Sequence, residues 1–221
     1  MKHNGLSKKL IGYMILLGAV LIIVSTVLHP LTINPWDGLT AFQEIKQNPL
    51  MWEIDHSIML FAVLLWLIGL FVAETELLSS FSISRNYGSL FIISLTIWVL
   101  ILCMELTALP ILTAGSVFKN SVFIVWKALF AFGLLSGYIA VILTWIGVSL
   151  FCMQLKIIGF EKIPVWIIFI GFFGGWIGVI GIIISLCLPT FGVIVLPITS
   201  GIPLFWTILL GWRIIDSNKI I

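Results

Sequence analysis

The chain has 221 residues, of which 61% are hydrophobic and 9% charged, with a formal net charge of +2. An ordinary soluble domain carries roughly 25% charged residues, and a water-facing surface for this composition cannot be built. The small net charge, without any basic patch interleaved with aromatics, excludes nucleic acid as a partner.

A membrane-spanning helix needs about 20 mostly apolar residues. The first such segment runs from Leu10 to His29, behind Lys2, Lys8 and Lys9. It is longer than a secretion-signal core and has no small-x-small cleavage site, so it reads as a retained helix. Pro30 to Leu50 is the one longer loop. Asn34-Pro35-Trp36 makes a turn, Asp37–Gln47 can form a short interfacial helix, and Asn48-Pro49 stops it. Trp36 and Trp52 suit a membrane–water boundary.

The second to fifth segments are Met51–Ala73, Gly88–Leu109, Val122–Leu150 and Pro164–Cys187. The sixth ends near Ile215. Pro189, Pro197 and Pro203, with Gly192 and Gly201, disturb its start. Two courses fit: one kinked helix over Phe191–Gly211, or an apolar loop leading into a shorter helix over 199–215. The second is favoured. The fold expected is all-α, a polytopic six-helix membrane bundle forming a single domain over 1–221. Lys2, Lys8, Lys9, Arg85, Lys156, Lys162, Arg213 and Lys219 fall on one side, and Lys46 and Lys119 on the other. The positive-inside bias then places both termini in the cytoplasm.

Small residues recur at helical spacing in the fourth segment (Gly133, Gly137, Ala140, Thr144, Gly147) and the fifth (Gly171, Gly174, Gly178, Gly181, with Gly175 beside them). Such ridges let backbones approach closely. The two segments are expected to pack together, with contact between two copies of the chain as the competing use. No internal inverted repeat is visible. Cys103, Cys152 and Cys187 lack paired spacing and read as small buried hydrophobes.

Ionisable residues inside membrane segments are functional candidates by default. Here they gather near the extracytoplasmic level: His29, Glu53, Asp55, His56, Glu105 and Lys127, with Asp37 and Glu44 in the loop above. Glu105 sits among apolar neighbours, roughly 5–10 Å below its helix end. It must face the bundle, pair with a cation or be protonated, and Lys127 on the next segment is the natural partner. His56 has Glu53 three residues and Trp52 four residues earlier on one helix face. His29 and His56 at similar depth also permit a haem held between them, or a metal ion held with Glu53 or Asp55. No cofactor is assigned on this basis.

The arrangement His29-Pro30, Asp37, then Trp52-x-x-x-His56 resembles a set of small uncharacterised prokaryotic six-helix membrane proteins. The resemblance covers the first third of the chain. It implies a bacterial-type cytoplasmic membrane and this same topology, and brings no activity.

No serine-hydrolase elbow, His-Glu-x-x-His or phosphate-cradling loop is present. Ser57 adjoins His56, but neighbours on a helix point about 100° apart, which is poor geometry for a nucleophile and its base. The leading functional expectation is a non-enzymatic membrane component: a structural, sensory or accessory subunit. A small transporter using the polar cluster is the alternative, and a metal- or haem-dependent enzyme the second alternative. The expected partners are the lipid bilayer and, through lateral contacts, a protein partner or a second copy.

Overall fold

In hydrocarbon no water is available to bond backbone N–H and C=O groups, so a spanning segment must satisfy them within itself, as a helix does. The computed structural model follows this rule throughout. It describes residues 8–30, 34–78, 87–114, 120–160 and 163–216, which form eight helices and no strand. These are α1 (Lys8–Leu28), α2 (Gly38–Gln47), α3 (Pro49–Leu78), α4 (Ser89–Leu106), α5 (Ala108–Ala114), α6 (Asn120–Ile157), α7 (Val165–Cys187) and α8 (Pro189–Ile215). Six spans, α4 and α5 counting together as one, are long and apolar enough to cross a membrane. The protein is therefore an all-helical, multi-pass membrane protein.

The proline-rich stretch is helical from Pro189 onward, which corrects the expectation of a loop before residue 199. Pro189 opens the helix, where its missing N–H is harmless. Pro197 and Pro203 lie inside it, near a Thr199 hydroxyl that donates to the Val195 carbonyl at 2.8 Å. An irregular apolar loop in lipid would leave far more backbone unsatisfied than two prolines do. The third expected segment instead divides. Thr107 leaves the helical region, at φ −126° and ψ −70°, and α5 restarts after it.

Sequential spans are antiparallel, and each packs along two neighbours in the cyclic order α1–α3–α4–α6–α7–α8 and back to α1. Glycines set several of these contacts. A Cβ on Gly18 of α1 would lie 2.6 Å from the Trp66 backbone nitrogen of α3, and one on Gly12 would lie 2.7 Å from the Gly211 carbonyl of α8. As expected, α6 and α7 pack together. The α6 glycines, however, serve a different neighbour. Gly133, Gly137 and Gly147 receive Met104, Trp98 and Phe91 of α4. The α7 glycines divide: Gly175 and Gly178 meet Ser149 and Trp145 of α6, Gly174 and Gly181 meet Ile202 and Thr199 of α8, and Gly171 meets both Cys152 of α6 and Trp206 of α8. Of the cysteines, Cys152 is buried as expected, whereas Cys103 and Cys187 lie on the outer surface.

Large side chains fill the middle of the ring. Trp66 of α3 and Trp145 of α6 meet edge-on with centroids 5.5 Å apart. The Trp66 indole donates to Thr207 of α8 at 3.1 Å, and that of Trp145 to Ser200 of α8 at 3.3 Å. Trp206 packs edge-on against Phe151 and has no solvent exposure. These contacts join α3, α6 and α8, which are not neighbours around the ring.

At one end of the bundle, α2 presents Gly38, Ala41, Phe42 and Ile45 inward at helical spacing. Phe42 packs edge-on against Trp126 of α6 with centroids 5.2 Å apart. Together α2 and α5 cover this end of α3, α4 and α6.

Gly18→Ala is expected to force α1 and α3 apart and to lower unfolding stability in mild detergent by about 1–3 kcal/mol. Gly201→Ala, whose Cβ would meet nothing within 4 Å, is expected to change it by less than about 0.5 kcal/mol. Equal midpoints for the two variants would contradict the close approach.

Candidate functional site

The end covered by α2 and α5 also holds the ionisable cluster. His29 is delivered by the last turn of α1, where its backbone N–H still bonds the Ser25 carbonyl at 2.8 Å and Pro30 prevents continuation. Trp52, Asp55 and His56 lie on the inner face of α3, and all three are buried. Glu105 comes from the end of α4 and is also buried. Glu53 is exposed and stands apart from this face, so it does not join the cluster.

Asp55 is the hub. The His29 Nδ1–H donates to its Oδ2 at 2.7 Å, and His56 Nδ1 lies 3.6 Å from the same oxygen. His56 Nδ1 also lies 2.8 Å from the Trp52 carbonyl one turn earlier. A carbonyl oxygen only accepts, so Nδ1 carries the hydrogen. This leaves the opposite nitrogen, Nε2, aimed at Glu105 Oε2 at 3.4 Å. His56 stacks on the Trp52 ring at 3.9 Å and 24°. The Trp52 indole reaches across to the Glu105 carbonyl at 2.8 Å, beside the break at Thr107. Two buried atoms of the cluster have no hydrogen-bond partner: Asp55 Oδ1 and His56 Nε2.

Glu105 therefore faces His56, and the expected pair with Lys127 does not form. Lys127 is exposed, with its stem beside Gly38 of α2, where a Cβ would lie 3.0 Å from its Cγ. The helix-end break and the covering α2 together turn the two groups to different sides. A haem between His29 and His56 is also ruled out by geometry. Their ring centroids are 5.1 Å apart at a 56° tilt, which leaves no gap for a porphyrin plane. A metal ion is a different matter, since His29, Asp55 and His56 each offer a ligand atom within 4.8 Å of the others.

Two features escaped sequence reasoning. One is Trp52, placed at the interface by its residue type but in fact 3% exposed and donating to Glu105. The other is Glu74, which lies at the opposite end of α3 and is buried there. Its Oε1 accepts the Tyr87 backbone N–H at 3.0 Å, just before α4 begins. The unsatisfied donors at a helix start are the signal from which such a partner could have been read.

Comparison with protein-family profiles, with curated proteins and with solved structures finds no match.

A double-mutant cycle of His29→Gln with Asp55→Asn is expected to show a coupling of about 0.5–3 kcal/mol in unfolding stability. The cycle of Glu105→Gln with Lys127→Met is expected to be additive within about 0.5 kcal/mol. Coupling in the second pair and none in the first would reverse the assignment of partners.

Proposed function

We propose that the protein is a non-conducting component of a bacterial-type cytoplasmic membrane: a sensory or accessory subunit that receives its signal or ligand at the end bearing His29, Asp55, His56 and Glu105. The observation that carries this reading is the contrast between the two regions of the bundle. The ring interior is filled by Trp66 and Trp145, which donate to Thr207 and Ser200, and by Trp206. A transport path needs polar groups through the midplane and on both sides of it. The His–carboxylate groups gather instead at one end.

The charge distribution supports an orientation with both termini in the cytoplasm. Lys8, Lys9, Lys156 and Arg213 lie at the end opposite the cluster, and Lys46 and Lys127 at the cluster end. Arg85, Lys119, Lys162 and Lys219 lie outside the described residues. The cluster then opens toward the extracytoplasmic side. The lateral faces of the ring remain for lipid and for a protein partner or second copy.

Two measurements test the reading. Proteoliposomes carrying the protein are expected to pass protons, Na+, K+ and Zn2+ no faster than empty liposomes. A flux abolished by Glu105→Gln would make the protein a small transporter instead. In intact bacterial cells, with Cys103, Cys152 and Cys187 replaced by alanine, Gln47→Cys is expected to react with an impermeant maleimide. Asn218→Cys is expected to react only after lysis, and the opposite pattern would invert the topology.

A further inference from the structure

We infer that His29, Asp55, His56 and Glu105 form a binding site for a divalent d-block cation, with zinc as its representative. This does not depend on whether the ring conducts, because a receiver, a transporter and an enzyme can all carry such a site.

The arrangement of His56 is the first reason. A histidine that ligates a metal through one nitrogen almost always donates its other N–H to a carbonyl or carboxylate, which sets the tautomer and aims the ring. His56 Nδ1–H does this toward the Trp52 carbonyl at 2.8 Å. The lone pair on Nε2 is thereby presented inside the cluster, on a fully buried nitrogen with no partner. Stacking on Trp52 holds the ring plane.

The second reason is spacing. Around a tetrahedral ion with bonds of about 2.1 Å, adjacent ligand atoms are about 3.4 Å apart. His56 Nε2 and Glu105 Oε2 are separated by 3.4 Å, too far for a good hydrogen bond and suited to two ligands of one ion. His29, Asp55 and His56 each offer a ligand atom within 4.8 Å of the others, a group that does not include Glu105, which approaches His56 alone. Asp55 Oδ1 is a second buried atom without a partner.

The third reason is charge. Two carboxylates within a buried cluster are offset by one divalent ion, with both imidazoles neutral. The donor set also selects the ion. Calcium and magnesium take oxygen ligands, whereas two imidazoles with two carboxylates suit zinc, iron, cobalt or nickel. The partial exposure of the His29 side chain, 25%, supplies the approach from the bundle end. The ion would tie His29, just past the end of α1, to α3 and α4.

The test uses the full chain purified in mild detergent without a polyhistidine tag, stripped with chelator and then titrated with Zn2+ and Co2+. About one ion per chain is expected, bound at a Kd below about 10 µM, with Co2+ giving the intense d–d absorption of a four- or five-coordinate N/O site. Mg2+ and Ca2+ are expected not to compete. His56→Ala and Asp55→Asn are expected to weaken binding by at least about tenfold. Glu53→Gln and His3→Gln, which alter the exposed neighbour and the remaining histidine, are expected to leave it unchanged. A folded wild-type protein that binds no stoichiometric Zn2+ or Co2+ overturns the proposal, whatever the flux assay shows. So does binding that survives in His56→Ala and Asp55→Asn, or that disappears in His3→Gln. Should those ligand variants fail to fold, the wild-type Co2+ spectrum decides, and the pale spectrum of the hexa-aquo ion counts against the site.

Discussion

Lipid tails are as apolar as leucine, so the helices of this protein gain nothing from hiding their side chains from one another's surroundings. What holds them is close backbone approach and hydrogen bonding in a medium that offers no competing water. The glycine contacts follow from that constraint. Gly18 admits Trp66, Gly12 admits α8, and the glycines of α7 admit α6 on one side and α8 on the other. The same constraint keeps residues 189–215 helical despite two internal prolines.

A ring of six helices encloses a volume that must be filled, because voids forfeit dispersion contacts. Tryptophan has the size to fill it, but its N–H then needs an acceptor. Thr207 and Ser200 supply acceptors to Trp66 and Trp145. Ser94 and Thr144 lie 2.7 Å apart beside the Ala140 carbonyl, and one hydroxyl donates to the other while the second donates to that carbonyl. Most of the polarity in the middle of the bundle is thus paired locally, the Trp206 N–H being the exception, and the His–carboxylate array lies at the end where α2 and α5 add cover.

Much of this was legible in the sequence, since length and hydropathy decide which segments span and the ionisable residues stand out against an apolar background. Pairing was harder to read. Helical spacing shows that Gly133 and Gly137 form a ridge, but a ridge does not name its neighbour, and the ridge meets α4 rather than α7. Asp55 and Glu53 are equally close to His56 in sequence. Only the rotation of α3 about its axis, set by the packing of Trp66 and Gly69 on α1, decides that Asp55 turns inward. Glu105 and Lys127 are near in sequence depth, yet the break at Thr107 and the position of α2 separate them. The partner of His56 through its Nδ1 is a backbone carbonyl, which no pattern of side chains reveals.

The remaining question is why a bundle so held should carry buried carboxylates and imidazoles at all. Fixing helix register is one use for buried charge. Here register is already specified several times over. Gly18 against Trp66 and Gly69 against Ile15 lock α1 to α3. Ser94 on the Ala140 carbonyl and Gly147 under Phe91 lock α4 to α6. The Glu74 contact with Tyr87 and the Trp52 contact with Glu105 lock α3 to α4 from both ends. None of these needs Asp55 or the imidazole of His56. Burying an ionisable group without full hydrogen bonding opposes stability by several kcal/mol, roughly, and an array surplus to register would bring that penalty with no structural return. The atoms left unpartnered, Asp55 Oδ1 and His56 Nε2, are both electron-pair donors and belong to neighbouring buried residues. An electron-pair acceptor within the cluster is the simplest physical reason for their being there.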